Sequence, residues 1–129
     1  MPGGSDRGDS HDRGQRAHLS GRAAEDIAAR AYVDRGYCIV ARRWRGPGGE
    51  IDLILRNGAQ LVFAEVKASR THAEAAARLQ PAQMQRIQRS AAHFLAQQPG
   101  GALTEARLDV VLVDGQGMAE IMENAFGQG

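Results

Sequence analysis

Two short segments place acidic residues and the single lysine of the chain at a spacing that could support metal chemistry. The first segment holds Glu50 and Asp52, and the second holds Glu65 and Lys67. Residues two apart in a strand project from the same face, so each pair is expected to share a face. If a hairpin joins the segments, three carboxylates and one ammonium meet where the strands separate. Clustered carboxylates indicate a hard divalent cation, and oxygen ligands without His or Cys favour Mg²⁺ or Mn²⁺.

The same alternation has a simpler interpretation, which the spacing leaves open. Acids that alternate with Ile51 and Leu53 also fit a half-exposed strand, with both apolar residues on the opposite face and the acids merely solvated. The lysine favours the site, because 15 of the 16 basic residues are arginine and Lys67 is the exception. Only lysine offers a compact, titratable ammonium, and it falls two residues after Glu65.

The segments that must position these residues alternate between helical and strand patterns. Ser20 is a candidate N-cap for a first helix with apolar residues at helical spacing, and Gly36 is suited to end it. Asn57-Gly58 predicts a hairpin between the two acidic segments. The first three predicted strands cover residues 37–41, 50–55 and 61–67.

The second half of the chain predicts a long helix and two more strands. Pro81 suits the first helical position, and the helical phase continues until Pro99. The alanine-rich residues 73–79 either extend this helix or form a loop over it. Strand patterns follow at residues 108–113 and 118–122. The order αβββαββ predicts an α/β fold, in which helices flank a mixed central sheet of about five strands.

The chain has the size and composition of one domain. It has 129 residues, of which 43% are hydrophobic and 24% charged, so a single packed core is feasible. Residues 1–19 have almost no apolar side chains and predict a disordered polar tail, which leaves residues 20–126 as the folded domain. The lone Cys38 fits a reducing compartment, and the chain has neither a membrane-length apolar run nor a secretion signal. A cytoplasmic protein without a membrane partner is expected.

Basic residues near the predicted site are candidates for contacts with a polyanion. The formal net charge is only +1, so nucleic acid would have to be held by a local patch or by bound metal. Arg43, Trp44 and Arg45 precede the glycine-rich turn, and such a ledge could hold phosphates and stack bases. Alternatively, Trp44 packs on the rim of the core and the arginines are solvated. Arg70 and Arg86 are further candidates.

Five runs of residues carry more specific information than spacing alone. They are Arg22-Ala23-Ala24-Glu25-Asp26, Gly49-Glu50-Ile51-Asp52, Phe63-Ala64-Glu65-Val66-Lys67, Leu108-Asp109-Val110-Val111 and Asn124-Ala125-Phe126. In this order, over residues 20–126, the runs resemble the YraN family of small, uncharacterised bacterial proteins. That family is similar to the PD-(D/E)xK nuclease superfamily, whose restriction-endonuclease-like fold is shared by Holliday junction resolvases.

The resemblance implies a role for each acid. Asp52 corresponds to the metal-binding aspartate, and Glu65 and Lys67 belong to the E-x-K element. Glu25 corresponds to a glutamate of the first helix and Glu50 to an auxiliary acid, although Glu25 also fits a solvated residue near a helix start. The metal ligands implied are Asp52, Glu65 and the carbonyl of Val66.

The function implied is that of a metal-dependent nuclease-like protein. It would bind nucleic acid, DNA in the first instance, and hydrolyse phosphodiesters of structured or single-stranded substrates with Mg²⁺ or Mn²⁺. A homodimer is expected by the same resemblance, because resolvases act on two symmetric strands. Two alternatives stay open: a nucleic-acid-binding adaptor with little turnover, and a protein–protein interaction module. Gln83 stands where the family often has lysine and Arg43 where many members have asparagine, but Asp52, Glu65 and Lys67 are intact.

Overall fold

The computed structural model describes residues 20–125, which form a five-stranded sheet with helices. The helices are α1 (Gly21–Asp34), α2 (His72–Ala77) and α3 (Pro81–Ala96), and a short 3₁₀ turn covers Gly101–Leu103. The strands are β1 (Cys38–Gly46), β2 (Gly49–Asn57), β3 (Gln60–Ala68), β4 (Ala106–Val113) and β5 (Ala119–Met122). The predicted tail at residues 1–19 and the end of the predicted domain at Phe126 lie outside the described residues.

The sheet has the mixed character that the sequence predicts. Its strand order follows the chain from β1 to β5. The first three strands pair antiparallel, β3 and β4 pair parallel, and β5 returns antiparallel to β4. The alanine-rich residues 73–79 neither extend the long helix nor form a simple loop. Thr71 caps a separate helix α2 there, because its side chain accepts a hydrogen bond from the Glu74 N–H at 3.0 Å.

Helices cover both faces of the sheet, as predicted. On one face, Ala28 and Tyr32 of α1 pack in a core that includes Leu53. On the other face, Met84 and Ile87 of α3 pack in a second core. The helical spacing of these buried residues explains why each helix turns one side toward the sheet. Within residues 20–125, no helix has both the length and the apolar character needed to cross a membrane.

The hairpin between β2 and β3 turns one residue later than the Asn-Gly signal predicts. Asn57 pairs with Gln60, so the two-residue loop consists of Gly58 and Ala59. Gly58 has φ of +63°, a conformation that glycine adopts easily, whereas Ala59 does not have a positive φ. Glycine at the first loop position suits a type II′ turn, and this choice sets the register of the two strands that carry the acids.

The turn between β1 and β2 is fixed on helix α3. The Gly48 N–H donates to Ser90 Oγ at 2.9 Å, and this hydroxyl donates to the Gly49 carbonyl at 2.8 Å. Ser90 is fully buried, and both bonds are partly shielded from water. A Cβ at position 48 would lie 1.9 Å from the Arg86 carbonyl oxygen, so only glycine fits there. This contact fixes the start of the strand that carries Glu50 and Asp52.

A buried ion pair secures the sheet through β4. Asp109 is fully buried and accepts hydrogen bonds from Tyr32 Oη at 2.8 Å and Arg107 Nε at 2.8 Å. The Asn124 N–H donates to the same carboxylate at 2.9 Å. Burial, together with the charge of Asp109, raises the pKa of the Tyr32 hydroxyl, so this group remains a donor. The network joins α1, β4 and the segment after β5.

We expect Gly48→Ala to destabilise the protein by about 1–3 kcal/mol or more, because the added methyl overlaps the backbone of α3 and cannot be accommodated by a side-chain rotation. Urea unfolding followed by circular dichroism measures the change. Gly21→Ala is the matched control, since a Cβ there meets no atom within 4 Å. Equal midpoints for the two variants would contradict the proposed docking of the turn.

Candidate functional site

Two of the predicted acids, Asp52 and Glu65, lie where β2 and β3 separate. The last paired residues of these strands are Leu53 and Ala64, although β2 begins earlier and β3 continues further. Beyond this point Asp52 Oδ2 accepts a hydrogen bond from the Val66 N–H at 2.8 Å. The carboxylate therefore satisfies a β3 backbone donor on the side from which β2 has separated. The sheet opens there without leaving that N–H group unpaired.

The regular alternation of side chains between the two faces of the sheet is interrupted once in β2. Ile51 packs in the core on the α3 side and Leu53 in the core on the α1 side, so the expectation that they share a face is wrong. The alternation of side chains changes phase at Asp52. This residue lies opposite Arg43, between two regular pairs of the β1–β2 ladder. Arg43 has φ of +51°, in the left-handed region that bulky residues rarely adopt. We call Arg43 and Asp52 the irregular rung.

The structure brings Asp52, Glu65 and Lys67 together. The carboxyl groups of Asp52 and Glu65, here called the acid pair, line the same two cavities and lie close enough for each to shift the pKa of the other. Glu65 is 5% exposed, and its Oε2 lies 3.3 Å from Lys67 Nζ. The same oxygen accepts a hydrogen bond from Gln83 Nε2 of α3 at 2.6 Å. An ammonium and an amide therefore hold Glu65 from its outer side while Asp52 contacts it from β2.

The surroundings of the acid pair favour a protonated Glu65. Burial and then the charge of Asp52 raise the pKa of Glu65 to about 8, because Lys67 offsets these two effects only in part. Burial also raises the pKa of Asp52, against the hydrogen bond from Val66. The interaction between the two carboxyls raises the pKa of Glu65 and opposes the increase at Asp52, so Glu65 is the member of the pair that takes up a proton more readily.

Glu25 lies beside the acid pair rather than in solvent. It is 8% exposed and borders the same cavity as Asp52 and Glu65. Its Oε1 accepts a hydrogen bond from Arg43 Nε at 2.8 Å. The alternative that Glu25 is merely a solvated helix residue is therefore wrong, and its buried charge is balanced by the arginine of the irregular rung.

The expected cluster of three carboxylates is reduced to a pair. Among residues 20–125, no three His, Cys, Asp or Glu side chains are grouped so that they could hold a metal ion. Glu50 lies at the exposed start of β2, where its nearest cation is Arg45 at 4.0 Å. Glu25 is turned toward Arg43. Only Asp52 and Glu65 are in contact, because the separation of the strands brings these two carboxyls into the gap.

Two cavities give access to the acid pair from the two faces of the sheet. A cavity of about 310 Å³ lies on the α1 side and includes Glu25, Lys67 and Arg78 in its lining. A cavity of about 330 Å³ lies on the α3 side and includes Glu50, Gln83 and Arg86. Asp52 and Glu65 line both, so a ligand can approach the acids from either direction.

Trp44 packs against the rim of the core. Its ring forms an edge contact with Phe94 at a centroid distance of 5.2 Å and stacks on His93 at 6.2 Å. The tryptophan is half-buried against α3, whereas Arg43 contacts α1. The two residues therefore face opposite sides of the sheet rather than forming one ledge.

The other predicted basic residues are dispersed around the site. Arg45 is exposed close to Glu50, and Arg70 forms an ion pair with Glu74 on α2 at 3.1 Å. Arg86 is exposed and borders the α3-side cavity. Of these residues, only Arg86 lines a cavity that contains the acid pair. Contacts with nucleic acid remain a prediction for all of them.

Sequence reasoning missed the roles of Gln83 and Arg78. In the sequence, Gln83 was noted only because related proteins often have lysine at this position. In the structure its amide contacts Glu65 directly. Its position one turn before the buried Ile87 is the signal that it faces the sheet. Arg78 donates to the Ala68 carbonyl at 2.6 Å and borders the α1-side cavity. Arg78 directly follows the short helix α2. The alanine-rich sequence did not predict where this helix ends, so it did not predict the position of Arg78.

Comparison with known proteins identifies the family. A family model described as "Uncharacterised protein family UPF0102" matches residues 24–113. The chain belongs to the UPF0102 family. A UPF0102 protein of Ruegeria sp. (strain TM1040) is 61% identical over 121 residues, which cover 94% of this chain and 98% of that protein. A UPF0102 protein of Ruegeria pomeroyi is 57% identical over 117 residues, with coverage of 91% and 95%. The predicted membership of the YraN family is confirmed, since UPF0102 is that family.

The UPF0102 match includes the whole of the candidate site. Glu25, Asp52, Glu65 and Lys67 all lie within the matched residues 24–113, as does Gln83 of α3. The family description assigns no activity to these residues. What the UPF0102 site can do therefore follows from its own geometry and electrostatics.

We expect the metal-free protein to lose stability as the pH rises toward 8. Folded Glu65 keeps a proton up to about pH 8 that the unfolded chain releases near its ordinary pKa, so the folded state binds more protons in this range. The contribution of one group has a slope of at most about 1.4 kcal/mol per pH unit. Glu65→Gln should flatten the dependence, as measured by urea unfolding between pH 5.5 and 8.5 in EDTA.

Glu74→Gln is the control for this experiment. Its hydrogen bonds with Arg70 and Ser69 lower the pKa of Glu74, so its contribution is lost only at acidic pH, below the range tested. The control should retain the wild-type slope. A slope for Glu65→Gln as steep as that of the wild type would contradict the proton assigned to Glu65.

Proposed function

We propose that this UPF0102 protein is a metal-dependent nuclease-like protein that binds nucleic acid, DNA in the first instance, in the cytoplasm. Its reaction would be Mg²⁺- or Mn²⁺-assisted hydrolysis of phosphodiesters in structured or single-stranded substrates. The observation that carries the proposal is the convergence of Asp52 and Glu65 on the same two cavities, beside Lys67, at the open end of β2 and β3. The resemblance to the PD-(D/E)xK superfamily supports the same function, and it also supports a homodimer.

The acid pair has the donor chemistry that a hard cation requires. Mg²⁺ is commonly bound through one or two carboxylates and keeps water or substrate phosphate in its other positions, so a third acid is not needed. The raised pKa of Glu65 indicates that burial and the neighbouring Asp52 charge are only partly balanced by Lys67, and a cation would supply the remaining positive charge. Asp52, Glu65 and the carbonyl of Val66 would hold the ion. When bound, it polarises a phosphate oxygen and lowers the pKa of a coordinated water.

The protein groups around the acid pair would orient the reactants. The Val66 N–H fixes one oxygen of Asp52, and Gln83 fixes Oε2 of Glu65, so both carboxyls have defined directions. Lys67 is mostly buried, with 16% of its side chain exposed, and borders the α1-side cavity. Its ammonium would balance the negative charge that develops on a phosphate during in-line attack. The protein would thus contribute to phosphodiester hydrolysis by orienting the reactants and by balancing charge.

A second candidate is a nucleic-acid-binding adaptor without turnover. The observation in its favour is that Glu65 Oε2 already contacts both Lys67 and Gln83. A lysine engaged in this way has less freedom to act on a phosphate. The two candidates share the fold and the acid pair, and they differ only in whether a bound phosphodiester is cleaved.

We expect Mg²⁺ or Mn²⁺ to bind the wild-type protein and to bind Asp52→Asn at least about tenfold more weakly, because loss of one carboxylate removes half of the charged ligands. Calorimetric titration at pH 7.5 measures this change. Repeating it in buffers of different ionisation enthalpy should detect a proton released from Glu65. Asp34→Asn, an exposed carboxylate on α1, is the matched control. Equal heats for wild type and Asp52→Asn would exclude metal binding at the acid pair.

We expect the wild-type protein to cleave at least one DNA among junction, flap and single-stranded substrates in Mg²⁺ or Mn²⁺. Lys67→Ala should lower the rate by about 10²–10³-fold, because it removes the cation beside the reacting phosphate. Arg89→Ala, an exposed cation on α3, is the control and should keep the wild-type rate. Binding without cleavage would identify the adaptor. Absence of both metal and nucleic-acid binding would leave only the protein–protein module.

A further inference from the structure

Three arginines line a cavity between α1 and β1. The cavity has a volume of about 350 Å³ and is bordered by Arg22 and Asp26 of α1 and by Arg42 and Arg43 of β1. We call it the arginine cavity. Its lining holds three guanidinium groups and one carboxylate, although the whole chain has a formal net charge of only +1. The local excess of positive charge makes this surface suited to an anion.

The three guanidinium groups retain unused hydrogen-bond donors. Arg42 donates through Nη1 to Asp26 at 2.7 Å, and Arg43 donates through Nε to Glu25 at 2.8 Å. Within residues 20–125, Arg22 forms neither an ion pair nor a side-chain hydrogen bond. A guanidinium has five N–H donors in a fixed planar arrangement, and this geometry suits the oxygens of a phosphate.

Arg43 connects the arginine cavity to the acid pair. The left-handed backbone at Arg43 costs on the order of 1–3 kcal/mol, so the surrounding contacts must maintain it. One of these contacts is the ion pair with Glu25, which borders the α1-side cavity together with Asp52 and Glu65. Arg43 therefore links the α1-side cavity and the arginine cavity. Its Nε contacts Glu25, which borders the first, and Arg43 itself lines the second.

We propose that the arginine cavity binds a backbone phosphate of the nucleic-acid strand whose reacting phosphodiester lies at the acid pair. The inference rests on the proposed function, and it adds Arg22 and Arg42 to the residues that contact the strand. The arginine cavity would position the nucleic-acid strand and would not take part in hydrolysis, because it contains neither the acid pair nor Lys67. The strand would cross the end of α1, passing Glu25 on its way between the two cavities.

The test is the binding of a fluorescent single-stranded 20-nucleotide DNA, followed by anisotropy in EDTA at several salt concentrations. Without a cation the acid pair attracts no phosphate, so the measured affinity reports the basic contacts. From a salt slope of about −0.7 per phosphate on single strands, loss of one contact costs about fivefold in affinity at 0.1 M salt. Arg22→Gln and Arg42→Gln should each show this loss and a slope smaller by about 0.7.

Arg56→Gln is the matched control, since Arg56 is an exposed arginine near the opposite end of β2. It should keep the wild-type affinity and slope, and circular dichroism should report the same fold for all variants. If the wild type binds DNA but Arg22→Gln and Arg42→Gln behave like Arg56→Gln, the arginine cavity is not a phosphate site and the proposed function stands. If the wild type does not bind DNA in EDTA or in Mn²⁺, both proposals are overturned.

Discussion

The candidate site depends on one hydrogen bond, from the Val66 N–H to Asp52 Oδ2. A sheet that opens at one end exposes backbone groups that have lost their partner strand, and such groups are costly when shielded from water. Asp52 satisfies one of them with its side chain, so β2 and β3 can diverge after Leu53 and Ala64. The same bond holds the Asp52 carboxylate in the gap, beside Glu65. The opening of the sheet and the position of its first acid therefore have a single cause.

The surroundings of this gap are anchored by buried and half-buried hydrogen bonds, whereas the charges of its two acids are only partly balanced. Ser90 fixes the β1–β2 turn on α3, and the buried Asp109 network joins α1 to the adjoining strands. Between these anchors, Asp52 and Glu65 lie against each other with Lys67 as the nearest cation. Low dielectric surroundings make two neighbouring carboxylates costly, and the pKa of Glu65 is raised for this reason. The proposed cation would relieve this cost by adding positive charge between the two acids.

The sequence predicted the elements of the fold but not the local departures from regularity. Hydrophobic periodicity and the positions of Ser20 and Pro81 were sufficient for α1 and α3, but not for the short helix α2. The spacing of Glu65 and Lys67 correctly put both on one strand face. Ile51 was assigned to the wrong face because the reversal requires a left-handed Arg43, and arginine carries no signal for that conformation. The burial of Glu25 and the contact of Gln83 arise from packing between distant segments, which spacing within one segment does not report.

The irregular rung has a consequence for how such a site can arise. Ala41 and Arg42 face the α3 and α1 sides in turn, and Trp44 faces the α3 side again, so removal of position 43 would leave a regular alternation from Ala41 to Trp44. A separate register shift lies earlier in β1, between Ile39 and Ala41. Removal of position 52 would do the same for β2, where Ile51 and Leu53 already face opposite sides. Around this rung the two strands resemble a regular ladder with one extra residue in each strand. The extra residue of β2 is Asp52, so an acid enters the gap while Ile51 and Leu53 keep their places in the two cores.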